Sequence, residues 1–167
     1  MRLLICSDIH GDEYAFLTLL KFKRKLQCSS VISAGDFCPD SSMELTAMNE
    51  DFMTVLGNCD RWRGFSIMAD PKPYIRFHLG GRQVIVTHGD RTMPSDYDMK
   101  EGDIFISGHT HVPVLDRDRN GIILLNPGSP SRPRSMEGPT FMTIDEDKAE
   151  LRSFPDGALI REMYYQS

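Results

Sequence analysis

No apolar run in this sequence approaches the roughly 20 residues that a membrane-spanning helix needs, so no crossing segment is expected. Positive charge is not in excess either. The 19 lysines and arginines face 24 aspartates and glutamates, and the net charge of −5 supplies no global field to attract nucleic acid or an anionic membrane surface. An anionic substrate would therefore need a local source of positive charge. Cysteine is sparse. Cys6, Cys28, Cys38 and Cys59 lack the paired spacing of a zinc ribbon or a redox motif, and they read as free thiols in a reducing cytoplasm. No Walker-type phosphate loop is present, and Ser129 lacks the G-x-S-x-G frame of a nucleophile elbow. A cysteine phosphatase would need arginine six residues after Cys59, and Phe65 stands there instead. No signal peptide is visible, because Met1–Arg2 runs directly into a strand-like segment. Repeats, low-complexity tracts and linkers are also missing, so residues 1–167 are expected to form a single domain with a core that needs no staples.

What is present has a clear order. Arg2–Cys6 is a continuous apolar run that reads as a strand buried on both faces. Asp12 can cap a helix starting at Glu13, with Phe16, Leu19, Leu20 and Leu26 on one face and a solvated basic end of Lys21, Lys23, Arg24 and Lys25. Strands are expected at Ser30–Ala34 and Phe52–Leu56, with a short helix at Met43–Met48 between them. This β–α–β–α–β opening implies parallel strands joined by right-handed crossovers. Hairpins follow: Tyr74–Leu79 with Arg82–Thr87 across Gly80–Gly81, Val112–Asp116 with Gly121–Leu125, and Thr140–Ile144 with Ala149–Phe154. Asp103–Ser107 is a further strand. An α/β start and a hairpin-rich remainder are both satisfied by a mixed sheet packed on a second sheet, with helices outside.

The polar residues collect at strand exits. The successive exits read Asp8–Ile9–His10, Gly35–Asp36, Gly57–Asn58–Cys59–Asp60, His88–Gly89–Asp90 and Gly108–His109–Thr110–His111. Carboxyl ends of strands in open α/β sheets gather at one rim, where ligands bind. Four of the five histidines lie at these exits, and His78 is expected to face outward from its strand. In an extended chain residues i and i+2 point to one side, so Asp8 with His10, and His109 with His111, are expected to converge. Imidazole, carboxylate and amide donors without thiolate match divalent Mn, Fe, Zn, Co or Ni. Seven side chains exceed what one tetrahedral ion takes. They suit two ions sharing a carboxylate, the clamp used for in-line displacement at phosphorus.

These motifs, "DIH" at 8–10, "GD" at 35–36, "GNCD" at 57–60, "THGD" at 87–90 and "GHTH" at 108–111, resemble those of the calcineurin-like metallophosphoesterase superfamily. The "GNCD" form and "NPGSPSRPR" at 126–134 are similar to its YfcE-like phosphodiesterases. The resemblance covers Leu3 to about Phe154. It implies an α/β fold, a four-layer αββα sandwich of two mixed β-sheets flanked by helices. It also implies that Asp8, His10 and His111 hold one metal, that Asn58, His88 and His109 hold the other, and that Asp36 bridges them. Two divalent ions are expected, manganese first, with Fe, Zn, Ni or Co compatible. By this resemblance a hydroxide between the ions attacks a phosphodiester directly, and Asn58, Cys59 and His88 are the candidate catalytic residues. Cys59 stands where many members carry a histidine that protonates the leaving group, and a thiol near pKa ~8.5 is the poorer acid.

Arg61 and Trp62 are candidate substrate contacts, through guanidinium on phosphate oxygens and indole on an aryl group or base. Arg91 and Arg132 are weaker candidates of the same kind. Asp60 and Asp90 are expected to orient ligands or water rather than to ligate. Asn126–Ser129 is a turn that either serves structure alone or supports the site through its amides. The expected partner is a small phosphoester, with no membrane and no strong nucleic-acid signal. The edge at Tyr74–Leu79 would allow a homo-oligomer. The competing reading is a catalytically weak binding scaffold of the same fold, like the retromer-type sorting subunit. The complete ligand set argues against it, because buried imidazoles and carboxylates without a partner destabilise.

Overall fold

The computed structural model describes residues 1–69 and 71–166. Strand β1 (Leu3–Cys6) is the hub of the first sheet. It pairs in parallel with β2 (Ser30–Ser33), which pairs in parallel with β3 (Phe52–Thr54). On its other side β1 runs antiparallel to β9 (Thr140–Ile144), followed by β10 (Lys148–Ser153) and β11 (Leu159–Tyr164). The second sheet has the order β4 (Tyr74–Leu79), β5 (Arg82–Thr87), β6 (Ile104–Ile106), β8 (Ile123–Asn126), β7 (Val114–Arg117), with β5, β6 and β8 parallel. Both sheets are mixed, and they pack face to face.

Alternation along the strands decides which layer each side chain joins. Leu3 and Ile5 of β1 face the second sheet, where they meet Val84, Val86, Ile104, Ile106, Ile123 and Leu125. Leu4 and Cys6 point the other way, into a cluster with Phe16, Leu19, Phe37 and Phe141. That outer cluster is roofed by α1 (Glu13–Lys25) and α2 (Ser41–Met48). Both helices start on a capping aspartate, with Asp12 accepting from Ala15 N–H and Asp40 from Met43 N–H. The outer face of the second sheet is covered differently. There Ile85, Phe105 and Ile122 lie under Tyr97 and Met99, from a segment whose only regular turn is the 3-10 turn Pro94–Asp96.

Several sequence expectations need adjustment. The basic end of α1 is not simply solvated. Lys23 is buried, with Nζ 3.2 Å from Asp51 Oδ2 and 3.5 Å from Glu50 Oε2, and Arg24 pairs with Glu50. The segment 58–63 forms a short helix, α3 (Asn58–Arg63), which a six-residue stretch ending in Arg-Trp-Arg does not announce by periodicity. Strand β11 was also not anticipated; its exposed face gives it no apolar alternation to read.

One buried carboxylate ties this frame together beyond the core. Glu44 of α2 accepts from the Ser66, Ile67 and Met68 N–H groups at 2.9, 2.7 and 2.6 Å and from Ser66 Oγ at 2.8 Å. Burial alone would raise its pKa, but these donors outweigh it and pull the carboxyl down to about 2. The chain after α3 is thereby fastened to α2.

Candidate metal centre

The carboxyl ends of β1, β2, β5 and β6, together with the start of α3, meet at one end of the sandwich. The residues predicted to converge do so, but not through an extended backbone. Asp8, His10, Asp36, His109 and His111 all have left-handed φ values of 56°, 52°, 52°, 68° and 61°. Five non-glycine residues in this region each cost on the order of 1 kcal/mol. Asp8 with His10, and His109 with His111, thus converge from curled loops just past their strands and not from the extended chain that i, i+2 spacing implied.

Backbone bonds hold these loops. Asp8 N–H donates to Gly35 O, His10 N–H to Asp36 O and Gly11 N–H to Phe37 O, each at 2.9 Å, so the β1 and β2 loops are zipped side by side. Two glycines permit the approach of the pieces. A side chain on Gly57 would collide with Asp36, and one on Gly108 with Ser7.

The result is a compact donor cluster. Asp8 Oδ1 lies 3.3 Å from His111 Nε2 and 3.8 Å from His10 Nε2, and those two imidazole nitrogens are 3.2 Å apart. Asp36 Oδ2 lies 3.4 Å from His88 Nε2 and 3.8 Å from His10 Nε2. Asn58 Oδ1 is 2.9 Å from His88 Nε2 and 3.0 Å from His109 Nδ1. All seven predicted side chains are therefore in one place, with Asp36 between the two groups. Asp8 Oδ1 is buried without a hydrogen-bond donor, which is the condition of a ligand atom awaiting a cation. Oxygen and imidazole donors of this kind fit a divalent ion.

Residues 1–149 match the family model of the Calcineurin-like phosphoesterase superfamily domain. The chain belongs to that superfamily. Among its relatives, phosphodiesterase YfcE of Escherichia coli K12 is 25% identical over 180 residues, covering 98% of this chain and 97% of that protein. A probable metallophosphoesterase of Methanothermobacter thermautotrophicus is 32% identical over 165 residues, covering 92% of each chain. The solved structure of Escherichia coli YfcE, a phosphoesterase, superposes with a TM-score of 0.85 at 22% identity, over 99% of this chain and 100% of that one. A Vps29 from Entamoeba histolytica complexed with Zn2+ gives 0.68 at 19% identity, over 99% and 100%. These superpositions establish the metallophosphoesterase fold, and the family implies divalent metal ions.

In this member of the superfamily the orientation of the imidazoles is fixed from behind. His88 Nδ1 donates to Ala34 O at 2.8 Å and His111 Nδ1 to Arg132 O at 2.6 Å, which turns both Nε2 lone pairs inward. Burial lowers the proton affinity of His10 more than Asp36 and Asp8 raise it, so that ring is held below the ordinary histidine value. For His88 burial works in the same direction, but the hydrogen bond and charge of Asp36 prevail and its pKa is raised. The Asp8 carboxylate, 3.3 Å from its Nε2, raises His111 above its usual value against burial. For Asp36, burial is outweighed by the His88 hydrogen bond and charge and by the Cys59 N–H, which holds its carboxyl well below the usual range.

Supporting structure that no local sequence pattern announces surrounds the cluster. Asp60 is fully buried and accepts from Asp36 N–H and Cys38 N–H at 2.8 Å and from Gly57 N–H at 2.9 Å. It orients the central carboxylate loop rather than a ligand or water. The Asn126–Ser129 turn does support the site, and it does so with Ser131 through side chains rather than through its own amides. Ser129 Oγ donates to Asp8 O at 2.8 Å, Ser131 Oγ to Ile9 O at 2.9 Å, and Asn126 Nδ2 to Gly108 O at 2.9 Å. The clustering of serines after a "GS" step was the available signal. Arg61 is paired with Asp90, and Trp62 is 91% exposed. Cys59 sits beside the donors, its thiol within reach of His10 and Asp36.

Asp60→Asn turns one acceptor oxygen into a donor that faces either the Cys38 N–H or, in the other amide orientation, the Asp36 and Gly57 N–H groups. It should cost about 2–4 kcal/mol in urea unfolding and weaken metal binding roughly 10–100-fold in a titration. The histidine shifts give a pH expectation. The folded pKa values of His88 and His111 are raised, so their pairing with Asp36 and Asp8 stabilises the metal-free fold below the unfolded value of ~6.5. That contribution is lost as pH rises through the folded values. Chelated protein should therefore melt lower at pH 8.5 than at pH 6.5. Added Mn2+, which must displace those protons, should raise Tm more at pH 8.5. Thermal melts in matched buffers decide it, and a metal-induced shift independent of pH would remove these two histidines from the metal site.

Proposed function

We propose that the cluster binds two divalent ions, one through Asp8, His10 and His111 and the other through Asn58, His88 and His109, with Asp36 shared. On this reading the chain is a single-domain binuclear phosphodiesterase. The observation that carries it is the position of Asp36, whose one oxygen faces His88 on one side and His10 on the other. Its relationship to a named phosphodiesterase over 98% of the chain supports the reaction class. When bound, a pair of divalent ions supplies a nucleophile at neutral pH and neutralises charge on phosphoryl oxygens. Manganese is the proposed native metal, with Fe, Zn, Ni and Co compatible with the same donors. Four free cysteines, three of them buried, support a reducing compartment such as the cytoplasm.

The chain's own residues then position and protonate. Asn58 Oδ1 and His88 Nε2, 2.9 Å apart, would serve the same ion, so the amide and the imidazole together would position it against the phosphoryl group. Cys59 is the proposed proton donor to the leaving group. Burial, then the hydrogen bond and charge of Asp36, raise its pKa, so the thiol remains protonated at neutral pH. It is available as an acid but a reluctant one, which suits substrates with good leaving groups. The substrate is a small phosphoester, and among the described residues no helix is long and apolar enough to cross a membrane.

The scaffold reading has one supporting observation, the fold shared with Vps29. Purified protein, chelated and then given Mn2+, separates the two. Turnover of bis(p-nitrophenyl) phosphate that vanishes with chelator, and falls at least ~100-fold in Asn58→Ala and His88→Ala, is the expected result. Stoichiometric metal with no turnover of any phosphoester would establish the scaffold instead. Cys59→His should speed cleavage of diesters with poor leaving groups by ~10-fold or more, and an unchanged rate would take Cys59 out of the mechanism.

A further inference from the structure

The proline-rich stretch Ser129–Pro130–Ser131–Arg132–Pro133–Arg134 does more than brace Asp8. Its backbone is fixed against the donor loops. Arg132 N–H donates to Ser129 Oγ at 2.9 Å, Arg132 O accepts from His111 Nδ1 at 2.6 Å, and Arg134 N–H donates to His111 O at 3.2 Å. Two prolines further restrict it. The two arginine side chains on this ledge are exposed and form no ion pair among the described residues.

A third guanidinium lies close to His10 from a different element, α3. Arg63, the last residue of α3, brings Nη1 to 3.8 Å from the position a side-chain carbon would take at Gly11, next to His10. It too is exposed and forms no ion pair among the described residues. Arg61 contrasts with these three, being engaged by Asp90, and Arg91 Nε lies 3.7 Å from the same carboxylate. The charge of Arg132 is felt at His10 and that of Arg134 at His111, so with Arg63 beside Gly11 three uncommitted guanidinium groups lie near the His10–His111 edge on a chain of net charge −5. Guanidinium groups bind phosphate in a planar, two-pronged way, and rigid placement reduces the entropy lost on binding. A scissile diester carries one negative charge, which the metal centre already meets. Three further cations beyond it are more than that substrate requires.

We propose that this edge is a second anion subsite, formed by Arg63, Arg132 and Arg134, and that the preferred substrate is a small phosphodiester with an additional phosphate monoester on one arm. The inference rests on the phosphodiesterase reading for its reaction, but the subsite itself can be tested by binding alone.

Two substrates with the same scissile bond and leaving group isolate the effect: thymidine 5′-(p-nitrophenyl phosphate), and the same compound carrying a 3′-phosphate. With Mn2+-loaded full-length protein at low ionic strength, kcat/KM should be at least ~10-fold higher for the 3′-phosphorylated compound. The ratio should fall towards one in Arg132→Ala/Arg134→Ala and be partly kept in Arg132→Lys/Arg134→Lys, which retains charge without the fork. Calorimetric titration should show thymidine 3′,5′-bisphosphate binding at least ~10-fold tighter than thymidine 5′-phosphate, with the difference lost in the alanine variant. Equal kcat/KM for the two esters, or equal affinity for the two nucleotides, would overturn the subsite. So would tighter binding of an oligothymidylate than of the bisphosphate, since that would point to a nucleic-acid strand. Absence of turnover on either ester would sink the phosphodiesterase reading, while the calorimetry would still decide the subsite.

Discussion

The placement of Asp36 governs how the rest of the site is arranged. Its carboxylate lies at the end of β2, between an imidazole from the first sheet and one from the second. It cannot hold that position alone, because its backbone is in the left-handed region and its surroundings are dry. Asp60 supplies the constraint by accepting from the backbone on either side of it and from Gly57. A buried carboxylate with three donors is well compensated, unlike one left unpaired. The short helix α3 exists in this setting: Asp60 fastens its first turn to the Asp36 loop, and that fixes Asn58 against His88 and His109.

A second consequence is electrostatic. Without cations, the cluster places two carboxylates and four imidazoles in a poorly solvated space. The groups settle this by sharing protons, which is why His88 and His111 bind theirs more tightly than usual while His10 gives its up. Asp8 Oδ1 is still left without a donor. Strained backbone at five residues of the cluster and an unsatisfied carboxylate oxygen are costs concentrated at the proposed metal centre. The two sheets bear those costs through a core that is tightly packed on both faces of β1.

The same frame accounts for what differs around the rim. On the first sheet, α1 and α2 form a full helical layer, and Glu44 anchors the chain that follows α3. Over the second sheet the cover is a loop with a single 3-10 turn. On the His111 side the 126–134 segment forms a braced ledge that presents arginines, and on the Asn58 side the same α3 presents Trp62 to solvent. A centre of this kind is generic in its donors, so specificity has to come from these flanks.

Much of this was legible in the linear chain. The continuous apolar run of β1, the capping Asp12 and the hairpin glycines specify local structure through short-range sterics and burial. The placement of Asp, Asn and His directly after strands pointed to one rim, because parallel strands have their ends on one side. Those signals were enough for the sheet architecture, the family and the convergence of seven polar side chains at one rim. They were not enough for α3 and β11, whose periodicity is too short or too exposed to read. Nor could they give the left-handed turns at Asp8 and His111, since φ at a polar residue is set by the hydrogen bonds its neighbours make. The roles of Asp60, Ser129 and Arg132 depend on partners 22 or more residues away, or on a backbone oxygen, and no local pattern encodes those. The sequence by itself determined which groups are available and at which strand ends they lie. Only the packing of the two sheets decided which atoms meet, because contacts across that interface are fixed by the whole fold and not by any one segment.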